Sequence, residues 1–241
     1  MNYKVFTEGV IFLMKRKTKT GIKLLTSLIE KVGDAEDYIQ PLIYIYRAYG
    51  HFVSDEYDKG LKDYIKANQL KKLNLSASYN MILCQGLKSL EKKEYENAIT
   101  FFTKASQKIP ANRDPYFLRS VSIVRYALHK PIKVQTRNKM LRDAKRDLNR
   151  ALKHSPKDVQ VLYFRGLLNF ALHGFFDAIT DFETVIEKSE ETQAKFYLAR
   201  GRCYACLSMF REAITDLSIA INLNKDLLDV SKTIIHECRL I

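Results

Sequence analysis

Apolar residues recur along the chain with helical spacing, and at fixed places they shrink to glycine, alanine or serine. A small residue stands at Gly9, Ala48, Gly86, Ser120, Gly166 and Gly201, at intervals of 39, 38, 34, 46 and 35. Twelve residues after five of these comes a second, at Gly21, Gly60, Ala98, Ala178 and Ala213. From Ser120 to Ala144 the gap is 24, so twelve residues are inserted there, and the interval of 46 is 34 plus those 12. Four residues beyond each second small residue a large one follows: Leu25, Tyr64, Phe102, Leu148, Phe182 and Leu217. Three further on, Ala67, Ala105, Ala151 and Ala220 are small again, with Leu28 and Val185 as exceptions. Pro110 and Pro156 follow Ala98 and Ala144 by twelve residues, where a helix must stop. Antiparallel helices cross closely only where both lack bulk, and the large residue fills the wedge beside the crossing. The pattern therefore predicts six helical hairpins, over 2–35, 41–74, 79–112, 113–158, 159–192 and 194–227, and then a capping helix over 228–241.

Charged pairs follow the same period. Arg47 and Asp63, Arg165 and Asp181, and Arg200 and Asp216 are each 16 apart, and Arg119 and Asp147 are 28 apart across the insertion. Where the Arg is absent, at Glu8 and Gln85, the Asp is absent too, replaced by Leu24 and Phe101. A residue directly before the close-packing position faces the neighbouring helix, where an unpaired charge is costly. These eight residues are expected to form structural ion pairs between helices, within or between hairpins.

The stretches "YNMILCQGLKSLEKKEYENAITFFTKASQKIP", "VLYFRGLLNFALHGFFDAITDFETVIE" and "FYLARGRCYACLSMFREAITDLSIAINLN" carry the pattern most fully. In them the chain resembles the tetratricopeptide repeat (TPR) family, whose units run Leu-Gly, Tyr, Ala, Phe, Ala and Pro over about thirty-four residues. The resemblance implies an all-α fold, a right-handed superhelical solenoid of about six TPR hairpins plus a C-terminal capping helix, as one array over 1–241. It also implies that first helices line the inner wall, which places Tyr49, Phe52, Leu83, Leu87, Phe117, Val121, Tyr163, Leu167 and Phe170 in a partner groove. Most of these are apolar. Family members that hold chaperone tails grip the carboxylate with inward Lys, Asn and Arg; here the matching places hold Leu83, Leu87, Leu118, Gln160 and Phe164, or one repeat later Phe117, Val121, Phe164, Lys195 and Ala199, so the chaperone carboxylate clamp is expected to be absent. An apolar groove suits a partner's helical or extended segment, or a second copy of the chain.

Composition adds three points. No run of eighteen apolar residues exists, which excludes a membrane-spanning helix. Cys84, Cys203, Cys206 and Cys238 are too few and scattered for a disulfide framework, which favours the cytoplasm. The net charge of +13 is concentrated between residues 121 and 158, with 11 Lys and Arg against 3 Asp. The insertion, read as a basic loop over 130–141, carries Lys130, Lys133, Arg137 and Lys139, with Arg142 just beyond, and is expected to form a basic rim for an acidic partner.

Candidate chemistry is sparse. Cys203 and Cys206 have the C-x-x-C spacing of zinc and redox sites, but both fall inside a predicted helix without a second ligand pair, so no metal or cofactor is expected. No catalytic motif is present. The reading is a non-enzymatic protein-interaction scaffold, whose repeat style is similar to that of proteins in cytoskeletal and ciliary assemblies. A nucleic-acid-binding repeat protein is the alternative, disfavoured because residues 130–158 hold no Tyr, Phe or Trp on which bases could stack.

Overall fold

A computed structural model describes residues 2–32 and 39–239, with side chains over 3–32 and 39–234; the ends of the first hairpin and of the capping helix lie outside the described residues, as do the side chains of His236 and Cys238. Among the described residues there are helices and no strand. The chain divides into two compact units between Ala111 and Asn112, in the loop between the Pro110 that follows one helix and the Pro115 that opens the next.

The first unit is three antiparallel hairpins: α1 (Asn2–Met14) with α2 (Thr18–Val32), α3 (Gln40–Val53) with α4 (Tyr57–Leu70), and α5 (Leu75–Glu91) with α6 (Tyr95–Lys108). The second pairs α7 (Asp114–His129) with α8 (Val134–His154), α9 (Val159–Ala171) with α10 (Phe175–Lys188), and α11 (Ala194–Cys206) with α12 (Phe210–Leu223). A short 3-10 turn (Lys225–Leu227) leads into α13 (Leu228–Arg239), which packs on α12. Local signals set the starts. Pro41 and Pro115 open α3 and α7, while the Asn74 and Asp158 side chains accept from the amides of Ala77 and Val161.

Close crossings fill the interior. A Cβ on Gly86 would lie 2.5 Å from the Phe102 ring, and one on Gly166 would lie 2.5 Å from Phe182. Elsewhere the two small residues meet directly. A Cβ on Gly21 would come 2.9 Å from the Gly9 carbonyl, and one on Gly60 would come 3.1 Å from that of Ala48. Tyr64, Phe102, Leu148, Phe182 and Leu217 are fully buried beside these crossings. Leu28, an exception to the small-residue rule, is also fully buried, in a cluster with Leu13, Leu25 and Ile43.

Five of the six hairpins turn in the same way. Arg16, Asp55, Lys93, His173 and Ser208 are left-handed, with φ between 57° and 60°. Each stands seven residues after its hairpin's first small residue. The following amide closes onto the carbonyl five residues back, as in Glu94 to Ser89 (2.8 Å) and Gly174 to Asn169 (2.8 Å). A non-glycine residue there is strained, so Lys93→Gly is expected to raise stability by about 1 kcal/mol, measured by urea denaturation; a loss would refute the strain.

The sixth tip differs, and it corrects the expected loop over 130–141. Only residues 130–133 are non-helical; from Val134 the insertion is part of α8, which has 21 residues against 14 in α10. Nothing between Val134 and Leu141 breaks a helix, and the Arg137 guanidinium donates to the Ala127 carbonyl at the end of α7, tying the lengthened helix to its partner.

Candidate partner-binding site

Four bidentate bridges brace the hairpins that carry the site. Arg47 binds Asp63 through Nε and Nη2, both at 2.7 Å, and Arg119 binds Asp147 at 2.7 and 2.6 Å. Arg200 binds Asp216 at 2.7 and 2.9 Å. Arg165 reaches Asp181 at 2.6 Å, and the buried Asn169 amide adds a third donor at 3.0 Å. All four pairs lie within single hairpins. Some also reach back one hairpin, as Arg47 does to Thr26 (3.2 Å) and Arg165 to Asn149 (2.9 Å). Burial opposes the charge on Arg47, yet the bonds and charge of Asp63 hold its pKa above the ordinary value; on Arg119 and Arg200 the hydrogen-bonded carboxylate is the largest cause of the same shift.

The expected groove residues divide by burial. Tyr49, Phe52, Leu87, Val121, Tyr163 and Phe170 are half-buried and Leu167 is exposed, so all offer surface. Leu83 and Phe117 do not, at 4% and 9% exposed. They belong to the packed interior of their units. The Phe117 ring is met by the edge of the Phe164 ring at 5.8 Å and by the Arg113 guanidinium at 5.5 Å.

In the second unit, Tyr163, Leu167 and Phe170 of α9 meet Leu198 and Ala199 of α11 around a cup of about 90 Å³, floored by Phe182 of α10. Gly166 lets the Phe182 ring approach closely enough to form that floor. The Tyr163 ring stands edge-on to Phe196 at 5.2 Å, and burial raises its phenol pKa. Two cations flank the cup. Lys195 Nζ lies 5.4 Å from the Tyr163 centroid, and the Arg202 guanidinium lies 5.0 Å from that of Phe170. Both side chains are exposed, and neither forms an ion pair among the described residues. The cup can take one large apolar side chain and offer two positive charges to what flanks it.

The first unit has a wider hollow of about 320 Å³ between α3 and α5, lined by Leu42, Ile45, Tyr46 and Tyr49 together with Asn74, Ser76 and Asn80. It carries no charged side chain. Sequence reasoning did not place the three polar residues there, because they precede the repeat's first small position by six to twelve residues and share no periodic pattern.

Of the basic rim, Lys130, Lys133, Lys139 and Arg142 are exposed, while Arg137 is half-buried and engaged with α7. The cysteine pair is not brought together as a site. Cys203 is buried, its thiol pushed up to about 12 by burial, and Cys206 is exposed. No group of three His, Cys, Asp or Glu side chains is placed to hold a metal among the described residues.

Solved structures share this architecture. PilF of Pseudomonas aeruginosa aligns at a TM-score of 0.63 and 16% identity, over 99% of this chain and 96% of its own. YrrB, described as a TPR protein with an unusual peptide-binding site, aligns at 0.61 and 21% identity, over 90% of this chain and 98% of its own. A thermophilic TPR protein of Thermus thermophilus aligns at 0.53 and 15%, over 83% and 100%. The chain has the tetratricopeptide repeat fold. No protein-family model and no characterised relative matches the sequence. No described helix is long and apolar enough to cross a membrane.

Proposed function

We propose that the protein is a non-enzymatic adaptor whose α9–α11 cup grips an amphipathic segment of a protein partner through one large apolar side chain flanked by carboxylates. The observation that carries this reading is the pairing of an aromatic-walled, unfilled cup with two exposed cations, Lys195 and Arg202, that have no carboxylate of their own among the described residues. An exposed apolar recess is costly unless something covers it, and unpaired cations beside it select an acidic segment over a neutral one. YrrB, with its peptide-binding site, is a precedent on the same fold. The exposed part of the basic rim, Lys130, Lys133, Lys139 and Arg142, supplies a second contact, with an anionic surface. The repeat style suggests a cytoskeletal or ciliary assembly as the setting.

Labelled peptides with a central Phe or Leu between acidic residues are expected to bind, and fully basic versions are not. Phe170→Ala and Lys195→Glu should each weaken binding about tenfold or more by fluorescence anisotropy, with the helical spectrum intact. Equal affinity for acidic and basic peptides would refute the charge assignment, and unchanged affinity in Phe170→Ala would refute the cup.

A further inference from the structure

We infer that the protruding tip of the α7–α8 hairpin is a membrane-surface contact, seating Leu128, Ile132 and Val134 at the headgroup boundary of an anionic bilayer while Lys130, Lys133 and Lys139 meet the lipid phosphates and carboxylates. This deepens the reading of the basic rim as a contact for an anionic surface, and rests on it.

Leu128 is 64% exposed and Val134 is 65% exposed, one on each side of the turn at Pro131. The Ile132 amide donates to the Lys130 carbonyl at 2.9 Å, which holds the turn tight, and Arg137 fastens the base of the tip to Ala127. The equivalent of Phe175, where α10 begins, is Leu141, so α8 starts seven residues earlier and carries the tip roughly 10 Å beyond its neighbour's start at 1.5 Å per residue. No carboxylate occurs between Asp114 and Asp143.

The α1–α2 tip in the other unit has the same chemistry. Met14 is 65% exposed beside Lys15, Arg16, Lys17 and Lys19, with no carboxylate between Glu8 and Glu30. The remaining tips all carry acid, at Asp55 and Glu56, Glu94 and Glu96, Asp177, and Glu212. The coincidence of bare aliphatic side chains, clustered cations and no acid is thus confined to two tips of six.

The occupant follows from that combination. Nucleic acid would use the cations but leave the aliphatic side chains in water, and residues 130–158 have no Tyr, Phe or Trp for bases to stack on. An acidic protein would need a pocket matched to a narrow convex wedge. An anionic bilayer needs no such match, because its fluid surface admits aliphatic side chains to a shallow depth and draws juxtaposed lysines within about 10 Å.

The test is co-sedimentation of the full chain with phosphatidylcholine vesicles and with mixed phosphatidylserine–phosphatidylcholine vesicles, beside polyglutamate and single-stranded RNA. Binding is expected to the mixed vesicles alone, weakening as salt rises. Lys130→Glu with Lys133→Glu should lower partitioning by about 25-fold or more, at roughly fivefold per cation removed. Leu128→Ser should lower it by about tenfold, a loss that charge alone does not explain. Phe170→Ala, which disables the cup, should leave partitioning unchanged, so the two sites fail separately. Equal retention on both vesicle types, or full retention in either tip variant, would overturn the inference. Capture of polyglutamate or RNA without vesicles would also overturn it, while leaving a basic rim with a different partner; no binding to any of the four would remove both.

Discussion

Asp181→Ala is expected to destabilise the protein by about 3 kcal/mol, lowering the melting temperature by roughly 10 °C. Asp181 is 2% exposed and accepts from Arg165 and from the buried Asn169 amide, so its removal leaves the part-buried guanidinium with Asn149 as its remaining partner and strands the Asn169 amide. Truncating one member of a buried pair costs far more than the pair contributes, because the remaining charge loses its partner without regaining water. Replacing both ends, Arg165→Met with Asp181→Leu, should therefore recover most of the loss. Calorimetry of the two variants checks this. An unchanged melting temperature in Asp181→Ala would show that the repeated Arg–Asp spacing is not structural.

Gly166→Val is expected to cost about 3 kcal/mol, at the upper end for overpacking. The first added carbon would sit 2.5 Å from the Phe182 ring, which is fully buried and has nowhere to go. Gly174→Ala is the control, since its added carbon meets nothing nearer than 3.5 Å, and it should be close to neutral. Urea denaturation distinguishes the two. Similar effects at both positions would mean that the crossing tolerates bulk. Because Phe182 also floors the cup, Gly166→Val should weaken peptide binding even where the protein remains folded.

The hairpins are legible because close packing leaves a mark that sequence displays directly. A helix can hide its amphipathic face among many residue types, but a crossing admits only Gly, Ala or Ser, and those recur at 9 and 21, 48 and 60, and 166 and 178. The Arg–Asp bridges are legible because both partners vanish together from the first and third hairpins. The turns are not. The left-handed residues are Arg, Asp, Lys, His and Ser, which share no chemistry, since the Schellman hydrogen bonds are made by backbone. The insertion reads wrongly as loop because Pro131 marks a break without saying how soon the helix resumes. Among the groove residues, register alone does not separate Tyr163, which faces the cup, from Phe117, the equivalent place one hairpin earlier. Both rings carry an edge-on neighbour and a cation, and what separates them is burial, since Phe117 is enclosed while Tyr163 keeps exposed surface, which is a tertiary fact. The cup's cations, Lys195 and Arg202, stand seven residues apart on one side of α11, a spacing the sequence displays; that both rest on aromatic rings of α9 is the work of the fold.

The most direct test of the binding reading is an NMR footprint of an acidic amphipathic peptide on the protein. Shifts are expected at Tyr163, Leu167, Phe170, Lys195, Leu198 and Arg202, with the exposed residues of α10 and α12 unmoved. Shifts confined to α10 and α12, with α9 and α11 silent, would contradict it.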